Sequence, residues 1–301
     1  MKEIIKITLS LTVICVAAAL ILGAVFAKTE HARKENEEKI KKEIIQGLLG
    51  AGAGGKAPEN LKVYSVHRYV ITQDKDVTLG YLVPLKDKGY ALVQVDLTGK
   101  LIKVTPVDAD EVKLAEAATR DSVVAGALPK NAKSVYAETF YIANEGDKRY
   151  GYVVPGVTQG FKTFVHLMVS LTPDFTIKGI EITKSEEDPG LGDEIKKDYF
   201  KNQFVGKTAE LLKTLKVVKE PLPADYLPAL EPKLAKRDKL TPEQVAQIKE
   251  KHLKDDIYAL TGATISTNAV TNGVKNTVRK FTYRLDILAN ALKQENVQAA
   301  F

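Results

Sequence analysis

Cysteine is nearly absent from this 301-residue chain: Cys15 is the only one and lies in the most apolar stretch, which excludes an intrachain disulfide framework and any cysteine-based zinc or iron–sulfur site. Histidine is scarce as well. His31, His67, His166 and His252 are scattered, with no HxxxH-type spacing to set two imidazoles on one helix face, so no metal site is expected. A long basic tract is also missing. The 44 Lys and Arg are mixed with 38 Asp and Glu, so the formal charge of +6 leaves no phosphate-backbone footprint, and nucleic acid is not expected as a partner. What is present, 45% hydrophobic and 27% charged residues, excludes a disordered chain and allows one large or two modest domains with real cores.

The charges themselves are missing from Ile7 to Ala27, 21 consecutive positions that as a helix would span roughly 30 Å, the thickness of a bilayer's hydrocarbon core. A transmembrane anchor is expected. The competing reading is a cleaved signal peptide, since Val25-Phe26-Ala27 offers small residues at cleavage positions, although signal h-regions run only about 7 to 15 residues. A lipoprotein signal at Cys15 is disfavoured by the bulky Ile14 before it. Lys2 and Lys6 on one flank and Lys28, Arg33 and Lys34 on the other give the positive-inside rule no clear preference.

Beyond the span, Lys- and Glu-rich residues Thr29 to Leu49 carry Ile40, Ile44 and Leu48 at helical spacing, so the helix is expected to continue until the flexible run Gly50 to Gly55. Strands are expected at Val63–Thr72, Leu79–Leu85 and Tyr90–Val95, forming an antiparallel sheet. About 70 residues later the plan recurs. Val63-Tyr64 is echoed by Val135-Tyr136, Gly80-Tyr81-Leu82-Val83-Pro84 by Gly151-Tyr152-Val153-Val154-Pro155, and Gly89-Tyr90 by Gly160-Phe161. A helical stretch precedes each copy, Ala32–Leu49 and Ala109–Ala127, which suggests internal duplication. Pro221, Pro223, Pro228 and Pro232 describe an extended excursion. Thr241-Pro242-Glu243-Gln244 then combines an N-cap, a first-turn proline and a capping-box Gln, starting a helix to about Leu253. A last helix should follow Ser266 or Thr267, with Val270, Val274, Val278, Phe281, Leu285 and Leu288 as its core stripe.

Between these helices lies Leu260-Thr261-Gly262-Ala263-Thr264-Ile265-Ser266. A turn of small and hydroxyl residues before a helix N-terminus offers free backbone N–H groups and the positive end of the helix dipole, which together favour a phosphate-like anion. Gly262 permits close backbone approach and Ala263 leaves room for a planar ligand. An ordinary N-cap turn fits the same spacing.

Thr261-Gly262-Ala263-Thr264, followed by Ile265-Ser266-Thr267-Asn268-Ala269-Val270, resembles the Ser/Thr-Gly-Ala-Thr motif of FMN-binding subunits of the bacterial Rnf and Nqr ion-pumping redox complexes. A second stretch agrees. Glu187-Asp188-Pro189-Gly190-Leu191-Gly192 is similar to that family's ETPGLG segment, and Gln203-Phe204-Val205-Gly206-Lys207 to its QFxGK. The single-anchor members are the Rnf G and Nqr C subunits. The resemblance implies FMN joined covalently to Thr264 by a phosphoester, with Thr261, Gly262, Ala263, Ser266, Glu187, Pro189, Gly190, Leu191 and Gly192 around it. It implies an α+β fold: a single N-terminal transmembrane helix and an extracytoplasmic FMN-binding domain whose antiparallel sheet is flanked by helices. The expected division is 1–28 anchor, 29–58 juxtamembrane helix and linker, 59–130 first helix and sheet unit, and 131–301 FMN-binding domain. The implied partners are other subunits of a membrane redox complex, membrane lipid, and a flavin transferase that uses the Thr264 hydroxyl once. Electron transfer then belongs to the flavin and ion translocation to partner subunits. Lys275, near the last helix, reads either as a ligand contact or as part of a solvated face. Two departures stand out: Tyr258 occupies the position where the family carries an aspartate, with Asp255 and Asp256 upstream, and the segment from Pro221 through the helix after Thr241 looks inserted. A member that has lost its flavin and serves as a tethered scaffold is the alternative that Tyr258 raises.

Overall fold

The computed structural model of the chain describes residues 1–50, 57–87 and 89–301, and of His31 and Lys34 the backbone alone. The glycine-rich run expected at 51–55 lies outside the described residues. Two units emerge, Met1–Gln46 and Gly47–Phe301. The first is nearly all of helix α1 (Lys2–Gly50), unbroken past the apolar span as expected and, by length and composition, able to cross a membrane. Within it the hydroxyls of Thr8, Thr12 and Thr29 donate to carbonyls four residues back, so these polar groups are satisfied without water.

The second unit is α+β. In chain order it contains β1 (Leu61–Gln73), β2 (Asp76–Pro84), β3 (Tyr90–Val95), β4 (Leu101–Val107), α2 (Glu111–Ala115), α3 (Ala117–Gly126), β5 (Ala132–Glu145), β6 (Lys148–Gln159), β7 (Phe164–Leu171) and β8 (Ile177–Lys184). There follow α4 (Asp198–Lys201), α5 (Ala209–Thr214), β9 (Val217–Val218), α6 (Tyr226–Leu230), α7 (Pro232–Arg237), α8 (Pro242–Lys251), β10 (Ile257–Tyr258) and α9 (Thr264–Gln294).

The eight long strands form one antiparallel sheet ordered β4-β3-β2-β1-β5-β6-β7-β8. It consists of two four-stranded meanders joined through their first strands. β1 begins at Leu61 and β5 at Ala132, 71 residues on; β2 begins at Asp76 and β6 at Lys148, 72 residues on. Gly80-Tyr81 and Gly151-Tyr152 fall on these equivalent second strands, and Tyr81 and Tyr152 are both buried in the same core. The repeat spacing seen in the sequence thus matches a repeated strand plan.

One face of the sheet packs against α9. Alternating residues of β2, β6 and β7, such as Val83, Val154, Leu167 and Val169, meet the expected stripe Val270, Val274, Val278, Phe281, Leu285 and Leu288. Phe281 stands edge-on to both Phe140 and Tyr152, with ring centroids 5.3 and 5.2 Å apart. The helix lies close to β6: a Cβ on Gly273 would meet Thr158 at 3.0 Å, and one on Gly156 would collide with Thr277. Thr158 also donates to the Ala269 carbonyl at 3.0 Å, fixing where α9 starts over the sheet. On the opposite face α2 and α3 cover the first meander, Leu114 and Val124 packing on Tyr69, Ile71 and Leu92.

The proline-rich stretch differs from expectation, since it folds into α6 and α7 rather than remaining extended. Tyr226, Ala229 and Leu230 make a small cluster with Val245 and Ile248 of α8, and that burial overrides the prolines. Both Thr241 capping-box bonds are present, but α8 ends at Lys251, slightly early.

Candidate functional site

Helix α9 begins at Thr264, three to four residues earlier than the capping argument placed it. Neither Ser266 nor Thr267 is the cap, because both hydroxyls are committed elsewhere. The buried Thr267 hydroxyl accepts from the Leu260 N–H at 3.1 Å and donates to the Ala263 carbonyl at 3.0 Å. Ser266 donates a short hydrogen bond to Glu187. The residue at the cap position is Ala263, which has no side-chain acceptor to offer, and no side chain caps the helix. The first turn, Thr264 to Ser266, therefore presents backbone N–H groups and the positive end of a 31-residue helix to whatever lies in front of it.

The approach to that turn is set by backbone geometry. Ala263 N–H bonds the Leu260 carbonyl at 3.0 Å, closing a turn whose third residue, Gly262, has φ +76°. The second motif closes a turn of the same kind: Leu191 N–H bonds the Asp188 carbonyl at 3.1 Å, with Pro189 second and Gly190 third at φ +73°. Pro and Gly are the residues that such a turn selects at those two positions. The turns meet, because a Cβ on Gly262 would come within 2.9 Å of Leu191 Cδ2.

Glu187 is the tie beneath them. Only 4% exposed, its carboxylate accepts from Ser266 on α9 and from the Lys162 backbone N–H, at 3.1 Å, in the β6–β7 turn. Gly160 and Gly192 lie against it: a Cβ would approach Glu187 oxygens to 2.5 and 2.8 Å respectively. This explains the glycines on either side of the carboxylate. The Lys162 ammonium pairs with Asp188 next door. Around this tie Phe161, Leu191 and Ile265 are 59%, 48% and 58% exposed, an apolar rim of the kind that a planar ligand covers.

Beside the two turns lies a cleft of about 430 Å³, whose lining includes Gly190, Tyr199, Pro221, Tyr258 and Thr261. Its wall is β10, which pairs in parallel with β9 and carries Tyr258. The polar residues of Gln203-Phe204-Val205-Gly206-Lys207 hold this wall from behind. Gln203 accepts from the Tyr258 N–H at 2.8 Å, and the fully buried Lys207 ammonium donates to the Leu253 and Asp255 carbonyls at 2.8 and 2.6 Å. Burial pulls the Lys207 pKa down to about 8 against the opposing pull of Asp255 and Asp256. Burial first, and then its hydrogen bond to Asp255, pushes the Tyr258 phenol up to about 12.

Thr261, Gly262, Ala263, Thr264, Ser266, Glu187, Leu191 and Gly192 are thus brought together, and Pro189 and Gly190 form the exposed turn above them. Glu187 and Gly192 sit beneath the surface as support. Lys275 is drawn away, its ammonium donating to the Leu215 carbonyl at 2.6 Å. Gly160, Phe161 and Lys162 were not foreseen at the site. Their only signal in the sequence is that Gly160-Phe161 repeats Gly89-Tyr90, which marks a strand end and not a ligand. Among the described residues, no group of acidic, histidine or cysteine side chains could hold a metal ion.

Residues 160–279, from the β6–β7 turn to the middle of α9, match the FMN-binding domain family, and this segment contains every element of the site just described. The relatives narrow the class. The chain is 32% identical over 143 residues to the G subunit of the proton-translocating ferredoxin:NAD(+) oxidoreductase complex of Clostridium ljungdahlii, covering 48% of this chain and 60% of that protein. It is 28% identical over 144 residues to the G subunit of the Na(+)-translocating ferredoxin:NAD(+) oxidoreductase complex of Acetobacterium woodii, covering 47% and 54%. The chain therefore spans a little over half the length of these relatives. Among solved structures, NqrC of Shewanella oneidensis is similar at TM-score 0.40 and 15% identity, covering 79% of this chain and 91% of that one.

The residues fit FMN. A phosphate is matched by uncapped amides at a helix N-terminus, a planar apolar ring system by the exposed rim of Phe161, Leu191 and Ile265, and close approach by Gly190 and Gly262.

Proposed function

We propose that this chain is a G-type electron-transfer subunit of a membrane-bound, ion-translocating ferredoxin:NAD+ oxidoreductase complex of the Rnf type, and that it carries FMN covalently through a phosphoester on Thr264. The observation that carries the reading is the placement of Thr264: first residue of α9, half-buried, on amides that no side chain caps. A phosphate esterified there would be held at the uncapped amides of the first turn, where the dipole favours its charge. When bound, FMN supplies the one- and two-electron chemistry, and the protein supplies position and electrostatics. Glu187 locks Ser266 and the β6–β7 turn, keeping the first turn of α9 in register with the Leu191 turn. The apolar rim excludes water from one side of the ring.

The rest follows from the same reading. The N-terminal helix anchors the chain in membrane lipid, the domain stands on the extracytoplasmic side, a flavin transferase loads Thr264, and other subunits of the complex provide electrons and move the ion. The chain is a redox carrier and not a stand-alone enzyme. Both relatives named above belong to ferredoxin:NAD(+) oxidoreductase complexes, which favours that type over Nqr. One observation favours a second reading, a tethered scaffold without flavin: Tyr258 stands where the family has aspartate.

Intact mass of the protein from its native membrane, with peptide mapping across Ala259 to Lys275, separates the two. The expected result is a mass increase of FMN less one water on Thr264. Its absence from a fully assembled native preparation would overturn the flavin reading and leave the scaffold.

A further inference from the structure

Tyr258 is the inner end of a continuous hydrogen-bonded chain. Its hydroxyl donates to Asp255 Oδ2 at 2.8 Å. The same oxygen lies 2.7 Å from Nδ1 of His252, and Nε2 of that imidazole lies 3.2 Å from Asp225 Oδ2. The His252 side chain is 8% exposed, whereas Asp225 is 46% exposed and pairs with the Lys251 ammonium at 2.6 Å. The row therefore runs from Asp225 in solvent through a buried ring to Asp255, itself 33% exposed, and ends at Tyr258 on the wall of the cleft shared with Gly190 and Thr261.

The elements packed around His252 hold it in this line. The Tyr226 ring of α6 stacks on the imidazole at 4.4 Å between centroids. Lys207 fixes the Leu253 and Asp255 carbonyls from below. The charged and titratable groups facing the row are Asp225, Lys251, Asp255, Lys207, Tyr226 and, towards Tyr258, Glu220. Only a doubly protonated imidazole can donate to both carboxylates at once, so the ring can pass a proton on at one nitrogen while receiving one at the other. The α6–α8 segment, with its own small core, frames this row and also holds Tyr199 of the cleft, whose N–H donates to Glu231 at 3.1 Å.

We infer that Asp225, His252, Asp255 and Tyr258 form a proton relay from solvent to the cleft beside the paired turns, where Tyr258 would serve the flavin; this rests on the FMN reading. Electrons come from a one-electron donor and do not pass through the row. A bound flavin would take up protons as N–H bonds on reduction, and Tyr258 would give up its hydroxyl proton to that uptake. Asp255 returns a proton to the phenolate oxygen, His252 to Asp255, and bulk water to His252 by way of Asp225. Each N–H bond formed thus takes up one proton from solvent.

The test uses the full chain in lipid nanodiscs, loaded with FMN as verified by intact mass, and reduced by dithionite in H2O and D2O across pH 6 to 9. Tyr258→Phe keeps the ring and removes the hydroxyl; His252→Gln keeps a polar group and removes the proton. Both are expected to slow the proton-linked phase about ten-fold or more, abolish its pH dependence and solvent isotope effect, and regain rate with added imidazole. A second readout needs no flavin: in Thr264→Val protein, the NMR titration of the His252 ring should shift when Tyr258→Phe is added. Loaded protein whose rate and pH profile are unchanged in Tyr258→Phe would overturn the relay alone. A chain without FMN in its native membrane would remove the relay together with the reading beneath it.

Discussion

The two meanders of the sheet share a strand plan and part company at their tips. In the first, the β2–β3 connection is sealed: Tyr90 is buried, Leu85 bridges to Ala299, and a Cβ on Gly89 would meet the Val107 carbonyl at 3.2 Å. In the second, the β6–β7 connection is open. Phe161, the sequence echo of Tyr90, lies in the turn before β7 and is exposed, and Gly160, the echo of Gly89, is pressed against a buried carboxylate instead of a backbone carbonyl. After β4 the chain turns into α2 and α3 behind the sheet; after β8 it passes through Glu187 and the paired turns to reach α9 in front. A repeated scaffold thus holds one copy rigid and lends the loops of the other to chemistry, where loop geometry is less constrained by the core.

The comparison breaks most completely at Thr264, since the first meander has no equivalent helix start. Thr264→Val should abolish the covalent FMN mass increase, while Thr261→Val leaves it in place; intact mass of protein co-produced with its transferase decides. The next largest effect tests what both halves share. Phe281 touches Phe140 on β5, Tyr152 on β6 and Phe175 beyond β7, so Phe281→Ala should cost about 3–5 kcal/mol in urea unfolding of the Gly47–Phe301 unit. A loss below about 1 kcal/mol would mean that α9 is not central to the core.

The halves can also be compared at equivalent glycines. A Cβ on Gly80 would meet side-chain tips, Ile71 Cδ1 at 2.6 Å and Leu92 Cδ1 at 3.2 Å, whereas one on Gly151 would run into the Leu171 backbone carbonyl. A flexible side-chain tip can rotate aside; a strand carbonyl within a ladder cannot. Gly151→Ala is expected to destabilise by about 1–3 kcal/mol and Gly80→Ala by distinctly less. Equal midpoints in denaturant would remove the asymmetry.

Period and repeat spacing made much of this fold legible. The apolar stripe of α9, the first three strands of the first meander and the Thr241 capping box depend on local pattern, and each lies close to where the pattern put it, whereas β4 was not expected. Local pattern was less informative at Thr264: of the two residues that read as caps, Ser266 is drawn off by Glu187 across 79 residues, and Thr267 is taken up by Leu260 and Ala263 just before it. The same long-range pairing hid the role of Gln203 and Lys207, which look like surface residues until the wall they support is in place. Tyr258 was visible as a departure, but its row was not, because Asp225 is joined to it only by the folding of a segment whose prolines argued for an extended excursion.

The smallest effect concerns Lys207, which has no counterpart in the first meander. Its ammonium is buried on two carbonyls, and burial lowers its pKa to about 8 from the 10.5 of an unperturbed lysine. Between those values the unfolded chain binds more protons than the folded one, so stability rises as pH goes from 8 towards 10.5. Tyrosines with raised pKa values, Tyr69 and Tyr226 among them, act in the opposite direction once the unfolded chain ionises near pH 10, which limits the clean window to about pH 8 to 10. Within it the Lys207 contribution should be about 1 kcal/mol or less after solvent screening. Lys207→Met should flatten the slope of unfolding free energy against pH, even though losing two hydrogen bonds lowers stability overall. An unchanged slope would mean that the ammonium titrates alike in folded and unfolded chains, and that the second half holds its cleft wall without burying a charge.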